Sequence, residues 1–592
     1  MTSRSEETRP EDDGRGSPVD RRTFLKWMGY GGSLVAAGSL AAACGEDAPA
    51  PDTAAPATAA PTTAAPTTAA PTTAAPTTTA AMAAETTTAL TEASTTTVTV
   101  APGTTAPPPP PEPELPPQNI RLGIDGSIQN FDYHKQFNLT DAWAPSQIFR
   151  GLSDLDPVTY RHVPEQAMSW EFSDDYMEWT FNVRRGIHFH NGREMTADDV
   201  VYSTMRVLNP ETGSAYRASF VNAETDESLF KTIEATDSHT IHITLHQPHP
   251  RLEELFFVHV NAIMPQEAIA DMNTNPVGSG PFRFKEHIPD VVTILEKNTN
   301  YWEEDLPILD EIRMIPIPDE TSRLAALRAG EVDWIRNPPR VEIPALQADD
   351  SLNVQVLPST WVDWFRISPR YPPLDNPNVR RAIAMSINRD AANERALFGL
   401  GAPAYTNVPP LSNVPLNITP PPYDPEGARA ILEAEGVLGF DLELTAHDVA
   451  HIKKVAESVA ADLQAVGINA TVAALEEGFW ANRWSQQDWQ MANSASISFM
   501  DPGPRSRFIG EGDVTGYTDP EISAWISEAS AVADVEERGR LYSMAWNKYL
   551  NEGATFIAIV AAPYAVAMSN KVKGFPMFPE QQQRWETAWI EA

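Results

Sequence analysis

"FDLELTA", residues 440–446, alternates Phe440, Leu442 and Leu444 with polar neighbours, the period of a strand buried on one face. The next stretch places Ile452, Val455, Val459, Leu463 and Val466 on one helical stripe. It stops at Gly467, a residue suited to the left-handed position past a helix end. "INATVAAL" (468–475) returns as a second strand. A strand, helix and strand at this spacing predict a partly parallel sheet covered by helices. Ligands of such open sheets sit beyond the carboxyl ends of the strands, here residues 445–448. Two further helices are legible. One starts at Asp319 in "PDETSRLAALRAGEVDWI", packs Leu324 and Leu327, and ends at Gly330. The other starts at Pro377 in "NPNVRRAIAMSINRD" with Val379, Ile383 and Ile387 at four-residue spacing, and Asn then Pro suit a helix start.

Residues 119–592 carry 37 basic and 67 acidic residues, a net charge of −30. Nucleic acid and anionic headgroups repel such a domain, so no nucleic-acid partner is expected, and the charge favours a soluble monomer. The 474 residues of this part exceed one compact core, so two or more lobes are expected, and they contain no long apolar run. The chain has one cysteine, Cys44. It excludes an internal disulfide and a cysteine metal cluster. G-x-S-x-G, H-E-x-x-H and paired cysteines are absent, which argues against an enzyme. "GSGPF" (278–282) lacks the rest of a phosphate loop and reads as a tight turn.

The first 118 residues have a different logic. "RRTFLKW", with Arg21 and Arg22, is followed by an uncharged stretch from Trp27 to Ala43, too short and glycine-rich for a membrane span. It resembles a twin-arginine export signal. Ala41, Ala42 and Ala43 before Cys44 resemble a bacterial lipobox, although the place that usually holds Leu is Ala41 and Leu40 stands one earlier. The resemblance implies a signal peptide over 1–43 and lipid attachment at Cys44, with two or three acyl chains giving firm membrane anchoring. Residues 44–118 are a tether of Ala, Pro and Thr built on tandem "PTTAA", with almost nothing to bury. At about 3.1 Å per residue such a spacer reaches at most on the order of 200 Å.

"VPEQAMSWEFSDDYMEWTFNVRRGIHFHNGREMTADDVVYS" (163–203) resembles the signature of the extracellular solute-binding proteins of family 5. These are the dipeptide-, oligopeptide- and nickel-binding components of ABC importers. "NPVGSGPFRFKEHIPDVVTILEKNTNYW" (275–302), "IPDETSRLAALRAGEVDWI" and "NPNVRRAIAMSINRD" continue the resemblance in the family's order. It implies an α/β fold of two lobes, the periplasmic-binding-protein type II fold, with an extra subdomain inserted in lobe I. Lobe I would span about 119–365 and 560–592, the insert about 156–278, and lobe II about 366–559. The implied function is a membrane-anchored extracytoplasmic receptor that closes over a peptide or other small organic solute and delivers it to an ABC permease. A surface-tethered hydrolase, an adhesin and a nickel or metal-complex receptor of the same family remain the alternatives.

Candidate ligand residues gather around the expected cleft. Trp361 and Trp364 in "STWVDWFR" precede the first lobe crossing, and Trp480 and Trp484 in "EEGFWANRW" follow a strand end. Aromatic faces there suit sugars or apolar side chains, but the same residues serve as core anchors. His447 and His451 are four apart at a helix start and lack a visible third ligand, so neither a metal nor a cofactor is expected. His188, His190, His239, His242, His246 and His249 fall in the inserted part and read as surface or packing histidines. Peptide-binding relatives hold the ligand's amino group with an Asp shortly before an acidic-Pro pair. In "SISFMDPGP" the pair is Asp501-Pro502 and the corresponding place is Ser498, followed by Phe499. A neutral hydroxyl cannot balance a buried ammonium, so unless Asp501 swings in, a free peptide terminus is poorly served. The expectation is therefore an uncharged or apolar-surfaced solute, an oligosaccharide or a modified peptide.

Overall fold

The computed structural model describes residues 117–591 apart from 136–139, 157–158, 215, 222–224, 498–500, 507–508, 511–514, 554 and 579–582. Arg21, Arg22, Cys44 and nearly all of the tether lie outside the described residues, as do Ser498 and Phe499.

Lobe I begins with β1 (Asn119–Ile124), which buries Ile120, Leu122 and Ile124. The inserted subdomain follows as an antiparallel sheet of β2 (Ala167–Phe172), β3 (Glu178–Val183), β4 (Phe230–Asp237) and β5 (Thr240–Leu245), in the order β2-β3-β5-β4. Helix α1 (Ala197–Leu208) contacts it, its first turn closed by a capping box between Thr196 and Asp199. Trp179, Phe181, Val200, Ile241 and Ile243 give this part its own core.

The chain returns to lobe I as β6 (Phe282–Ile288), β7 (Val292–Lys297), β8 (Glu311–Pro316), α2 (Glu320–Arg328) and β9 (Trp334–Arg336). β1 lies between β8 and β9, parallel to both. Asp319 caps α2 by accepting from the Ser322 N–H at 2.8 Å, and Gly330 adopts φ +69° just past its end. The turn at "GSGPF" packs backbone on backbone. A Cβ at Gly278 or Gly280 would run into the Ile148 or Gln147 carbonyl, and the Gly280 N–H donates to Ile148 O at 2.8 Å.

β10 (Leu352–Ile367) carries the chain into lobe II. There α3 (Pro377–Ser386) and α4 (Arg389–Leu397) precede the β-α-β unit that opened the sequence analysis. β11 (Asp441–His447), α5 (Ala450–Ala465) and β12 (Asn469–Leu475) form it, with β11 and β12 parallel from Asp441–Asn469 to His447–Leu475. Ile452, Val455, Val459, Leu463 and Val466 are all buried, and Gly467 takes φ +95°. Then come α6 (Glu477–Gln486), β13 (Met491–Ile497) and the paired helices α7 (Pro520–Ala531) and α8 (Val535–Glu552). β14 (Phe556–Ser569) leads back to lobe I.

One sheet runs through both lobes in the order β12-β11-β13-β10-β14-β9-β1-β8-β7-β6. β10 and β14 are the fourth and fifth strands of this order. Their antiparallel register runs from Leu352–Ser569 to Pro358–Pro563, breaks, and resumes at Val362–Ala561. Ser359, Thr360 and Trp361 thus stand opposite Ala562 alone, a bulge that bends the strand. The Ser359 hydroxyl pins it by donating to Ala562 O at 2.6 Å. Cores change at the same place. On β14, Ile557, Ile559 and Ala562 belong to the lobe II core, and Tyr564, Val566 and Met568 to that of lobe I. The sequence placed the crossings near residues 365 and 560; the register break falls at 358–362 and 561–563. Among the described residues no helix is long and apolar enough to cross a membrane.

Candidate functional site

Parallel strands of both lobes end near the boundary between the lobes. In lobe I, β1 ends at Asp125 and β9 at Arg336, whose Nη1 donates to Asp125 Oδ2 at 2.8 Å. The Arg336 guanidinium lies 5.7 Å from the Trp143 ring and 6.0 Å from that of Tyr564. Buried Arg323 of α2 secures the loops beyond these strands, donating to Ile317 O and Pro318 O at 2.7 Å and to Arg336 O at 3.2 Å. Arg340 follows at the start of a short turn, Arg340–Glu342. It is partly buried, and it acts electrostatically on both Asp363 and His451 across the lobe boundary.

In lobe II, alternation along β10 sends Trp361, Asp363, Phe365 and Ile367 to the face that α5 helps to cover. Helix α5 starts behind Val449 with no side-chain cap. His451, in its first turn, meets the Trp361 ring at 6.1 Å, and its Nε2 lies 3.8 Å from Asp363 Oδ1, too far for a hydrogen bond. Asp363 is 0% exposed and neither carboxyl oxygen has a hydrogen-bond partner. Burial pushes this carboxyl up to about 7, with Arg340 and the nearby Trp361 indole pulling the other way. Trp361 Nε1 is near enough to act on it but misses hydrogen-bond geometry, and Thr360 Oγ1 is likewise buried without a partner. Burial, then the charge of Arg340 and the neighbouring His447, push His451 well below the usual imidazole range, so it stays neutral.

The tryptophans are arranged otherwise than a lined cleft requires. Trp480 and Trp484 stack at 5.3 Å and 17°, and Trp484 stacks on Trp489 at 5.3 Å and 13°. Trp364 meets Trp484 edge-on at 5.7 Å, and the His447 ring lies 5.5 Å from Trp480. Trp364 and Trp480 are each 7% exposed, and the Trp480 indole donates to Asn493 O at 3.1 Å. Their faces are covered largely by one another, Trp484 remaining half-buried, and Trp361 is the half-buried ring beside the polar groups.

Asp501 is also committed. Its buried carboxylate pairs with Arg251 and, at 3.0 Å, with Arg538 of α8, and accepts from the Gly503 N–H at 2.7 Å. Arg251 belongs to the inserted subdomain, so this ion pair also joins the two sides of the molecule. Among the histidines of the insert, His190 is a packing residue, its Nε2 3.0 Å from Gly280 O. Among the described residues no group of three or more His, Cys, Asp or Glu is placed to hold a metal, so His447 and His451 gain no third ligand.

Sequence reasoning missed Asp125, Arg251, Arg336, Arg340, Asp363 and Trp489. The rule that pointed to residues 445–448 would have found Asp125 and Arg336, had residues 119–124 and 334–336 been recognised as parallel strands. Asp363 had a signal as well: a lone acid in the apolar run "TWVDWF".

A family model described as bacterial extracellular solute-binding proteins, family 5 (middle), matches residues 161–509. Heme-binding protein A of Haemophilus influenzae is 26% identical over 491 residues, covering 77% of this chain and 87% of that protein. A probable di/tripeptide-binding protein of Pseudomonas aeruginosa is 27% identical over 499 residues, covering 78% and 94%. Among solved structures, the Helicobacter pylori ABC transporter-associated periplasmic binding protein DppA, in complex with peptide STSA, superposes with a TM-score of 0.70. It is 23% identical, and the match covers 80% of this chain and 98% of that one, a likeness of fold.

Proposed function

The chain belongs to the family 5 bacterial extracellular solute-binding proteins, and from that premise we propose that it is the receptor of an ABC importer for a small, polar organic solute of the peptide type, held between its lobes. The observation that carries this reading is the meeting of polar groups from both lobes beside the strand bulge: Arg340 from one side, Asp363 and His451 from the other. A hydrolase would need a nucleophile hydrogen-bonded to a base, and in this cluster Thr360 Oγ1, Asp363 and His451 Nε2 make no such bond. Buried groups without protein partners are what closure over a polar solute would satisfy. The stacked tryptophans weaken the case for a neutral, sugar-like solute and move the weight to these charges.

In this reading residues 1–43 are an export signal, 44–118 a tether lipidated at Cys44, and 119–592 a monomeric receptor that meets its permease outside the cytoplasm. The test pairs native mass spectrometry, for a co-purified solute, with solution scattering. The radius of the purified protein shrinks when a saturating solute binds. No shrinkage with any bound solute would rule out hinge closure. For the anchor, Cys44→Ser leaves a folded protein in the medium, and its recovery with membranes at wild-type levels overturns lipid attachment.

A further inference from the structure

The inserted sheet has two edges, and they are unlike. β4 bounds one with exposed Lys231, Glu234 and Asp237, charges that discourage a further strand. β2 bounds the other and pairs with β3 alone, regularly from Ser169–Asn182 to Phe172–Trp179. Just past its end the Ser173 N–H donates to Glu178 O at 2.9 Å, so the hydrogen-bonded positions of this ladder are Ser173 and, two back, Glu171. Trp170 and Phe172 alternate with them and turn their N–H and C=O groups to the open side. Their side chains share the core face of the sheet. The Phe172 ring lies 4.8 Å from Trp179 and 5.0 Å from Tyr176, and Trp170 lies 5.9 Å from Phe181. Trp179 and Phe181 are buried, whereas Phe172 is 49% exposed and Met168, in the bulge before the regular pairing, 57%. The aromatic core of the insert thus runs out to an edge with no strand beyond it among the described residues.

The opposite face is acidic. Glu171 and Glu178 alternate with the aromatic residues and so point to it, and Asp174 and Asp175 stand in the turn between the strands. All four are exposed, and residues 163–183 hold five acidic and no basic residue. Arginine follows only at the far end of the pair, where Arg184 is engaged: its Nε donates to Glu165 O at 2.6 Å and its guanidinium lies 4.6 Å over the Trp302 ring. We propose that the open edge of β2 docks an extended segment of a partner protein in which apolar and basic residues alternate, added to the sheet as a fifth, antiparallel strand. A strand laid along β2 alternates as β2 does, so every second side chain meets Trp170 and Phe172 and the others meet Glu171 and Glu178. Apolar groups gain by covering the first face, and cations by facing the second.

Charge selects among the occupants of such an edge. A second copy of the chain would bring the same carboxylates against these, and like charges opposed across a new ladder are destabilising. Anionic lipid headgroups meet the same repulsion. A sugar stacked on Phe172 would leave the backbone groups of Trp170 and Phe172 and the whole acidic face unused. The basic strand uses all three features, and it goes beyond the receptor reading because it does not depend on the solute held between the lobes.

The test uses the purified protein and heptapeptides blocked at both ends. They are Lys-Val-Lys-Val-Lys-Val-Lys, its rearranged form Lys-Lys-Val-Val-Val-Lys-Lys, the acidic Glu-Val-Glu-Val-Glu-Val-Glu, and the first peptide N-methylated on its valines. In antiparallel register the valines opposite Trp170 and Phe172 exchange both hydrogen bonds with them, which methylation prevents. The alternating basic peptide is expected to slow amide exchange at Trp170 and Phe172 about ten-fold or more, and to bind more tightly than each of the other three by about the same factor in fluorescence anisotropy. Phe172→Lys and Glu171→Lys, both at exposed positions, each weaken it to a similar extent with unchanged unfolding midpoints. The peptide comparisons on the wild-type protein do not depend on either variant folding. Equal binding of the rearranged or methylated peptide, or no binding at all, overturns the proposal. So does exchange protection at residues 445–451 in place of 168–173, which would make the peptide a solute between the lobes. Binding of chitohexaose that Phe172→Lys abolishes gives the face to a sugar, and a sedimenting dimer that the same variant dissociates gives it to a second copy; either overturns the basic strand.

Discussion

Two aspartates of lobe II face arginines from the other side of the molecule, and they are in opposite states. Asp501 has Arg251 across the boundary, Arg538 beside it and the Gly503 N–H beneath it. Arg538 in turn donates to Val532 O at 2.9 Å and Ala533 O at 3.2 Å. Asp363 has Arg340 across the boundary, out of contact, and no hydrogen bond. Burial is the same for both, and only one is paid for within the chain. A buried charge with its full set of partners is architecture; a buried carboxyl without them marks a candidate functional site.

The largest expected effect tests the satisfied member. Asp501→Ala strands two buried arginines and should destabilise the protein by about 3–5 kcal/mol in urea unfolding. A loss below about 1 kcal/mol would erase the contrast with Asp363. The second test uses pH on the unsatisfied member. The folded carboxyl of Asp363 is raised to about 7 from 3.8, so between those values the native state holds a proton that the unfolded chain has released. Stability therefore falls as pH rises through that window, by about 1.4 kcal/mol per unit from this group, and levels off above it. Of the groups that act on it, Arg340 is a cation, and burial holds His451 well below the usual imidazole range. Asp363→Asn should lack this slope, so the difference between wild-type and variant stability curves should carry it, and parallel curves would show that the carboxyl is solvated.

Smaller effects sharpen the contrast. Arg251→Gln leaves Asp501 paired with Arg538, so the expected loss is about 1.5–3 kcal/mol, the range for a hydrogen bond to a charged group. Because the bond spans the boundary, the ligand-free scattering radius should grow as well, and an unchanged radius would assign the pair to folding alone. Ser359→Ala removes the hydroxyl that pins the bulge to Ala562, with about 1 kcal/mol of stability, and should leave both charge clusters intact.

Periodicity made much of lobe II legible, because a strand of period two and a helix of period 3.6 leave different traces. The stripe from Ile452 to Val466 and the caps at Asp319 and Asn376 are as the sequence predicts. The resemblance at residues 163–203 supplied the two-lobed frame that local patterns cannot. The site was less legible. Trp480 and Trp484, four apart on a helix, look the same in sequence whether they line a cleft or stack, and their partner Trp489 lies past the helix end. Whether Asp501 is free depends on Arg251, 250 positions earlier, and no local pattern reports that pairing. Arg340 stands outside any strand or long helix, where periodicity carries no information.

The bulge at Ser359–Trp361 has a consequence for how the chain can tolerate change. Side chains along β10 alternate, so the number of residues between Pro358 and Val362 fixes which face each later residue takes. Remove one, and Asp363 and Phe365 exchange sides with Val362 and Trp364, carrying a carboxylate into the apolar packing around Trp546 and an indole to the face that α5 helps to cover. Insertions or deletions here are tolerable only in pairs, as a coding frame tolerates only triplets. The segment that joins the two lobes is therefore also the one that keeps them in phase.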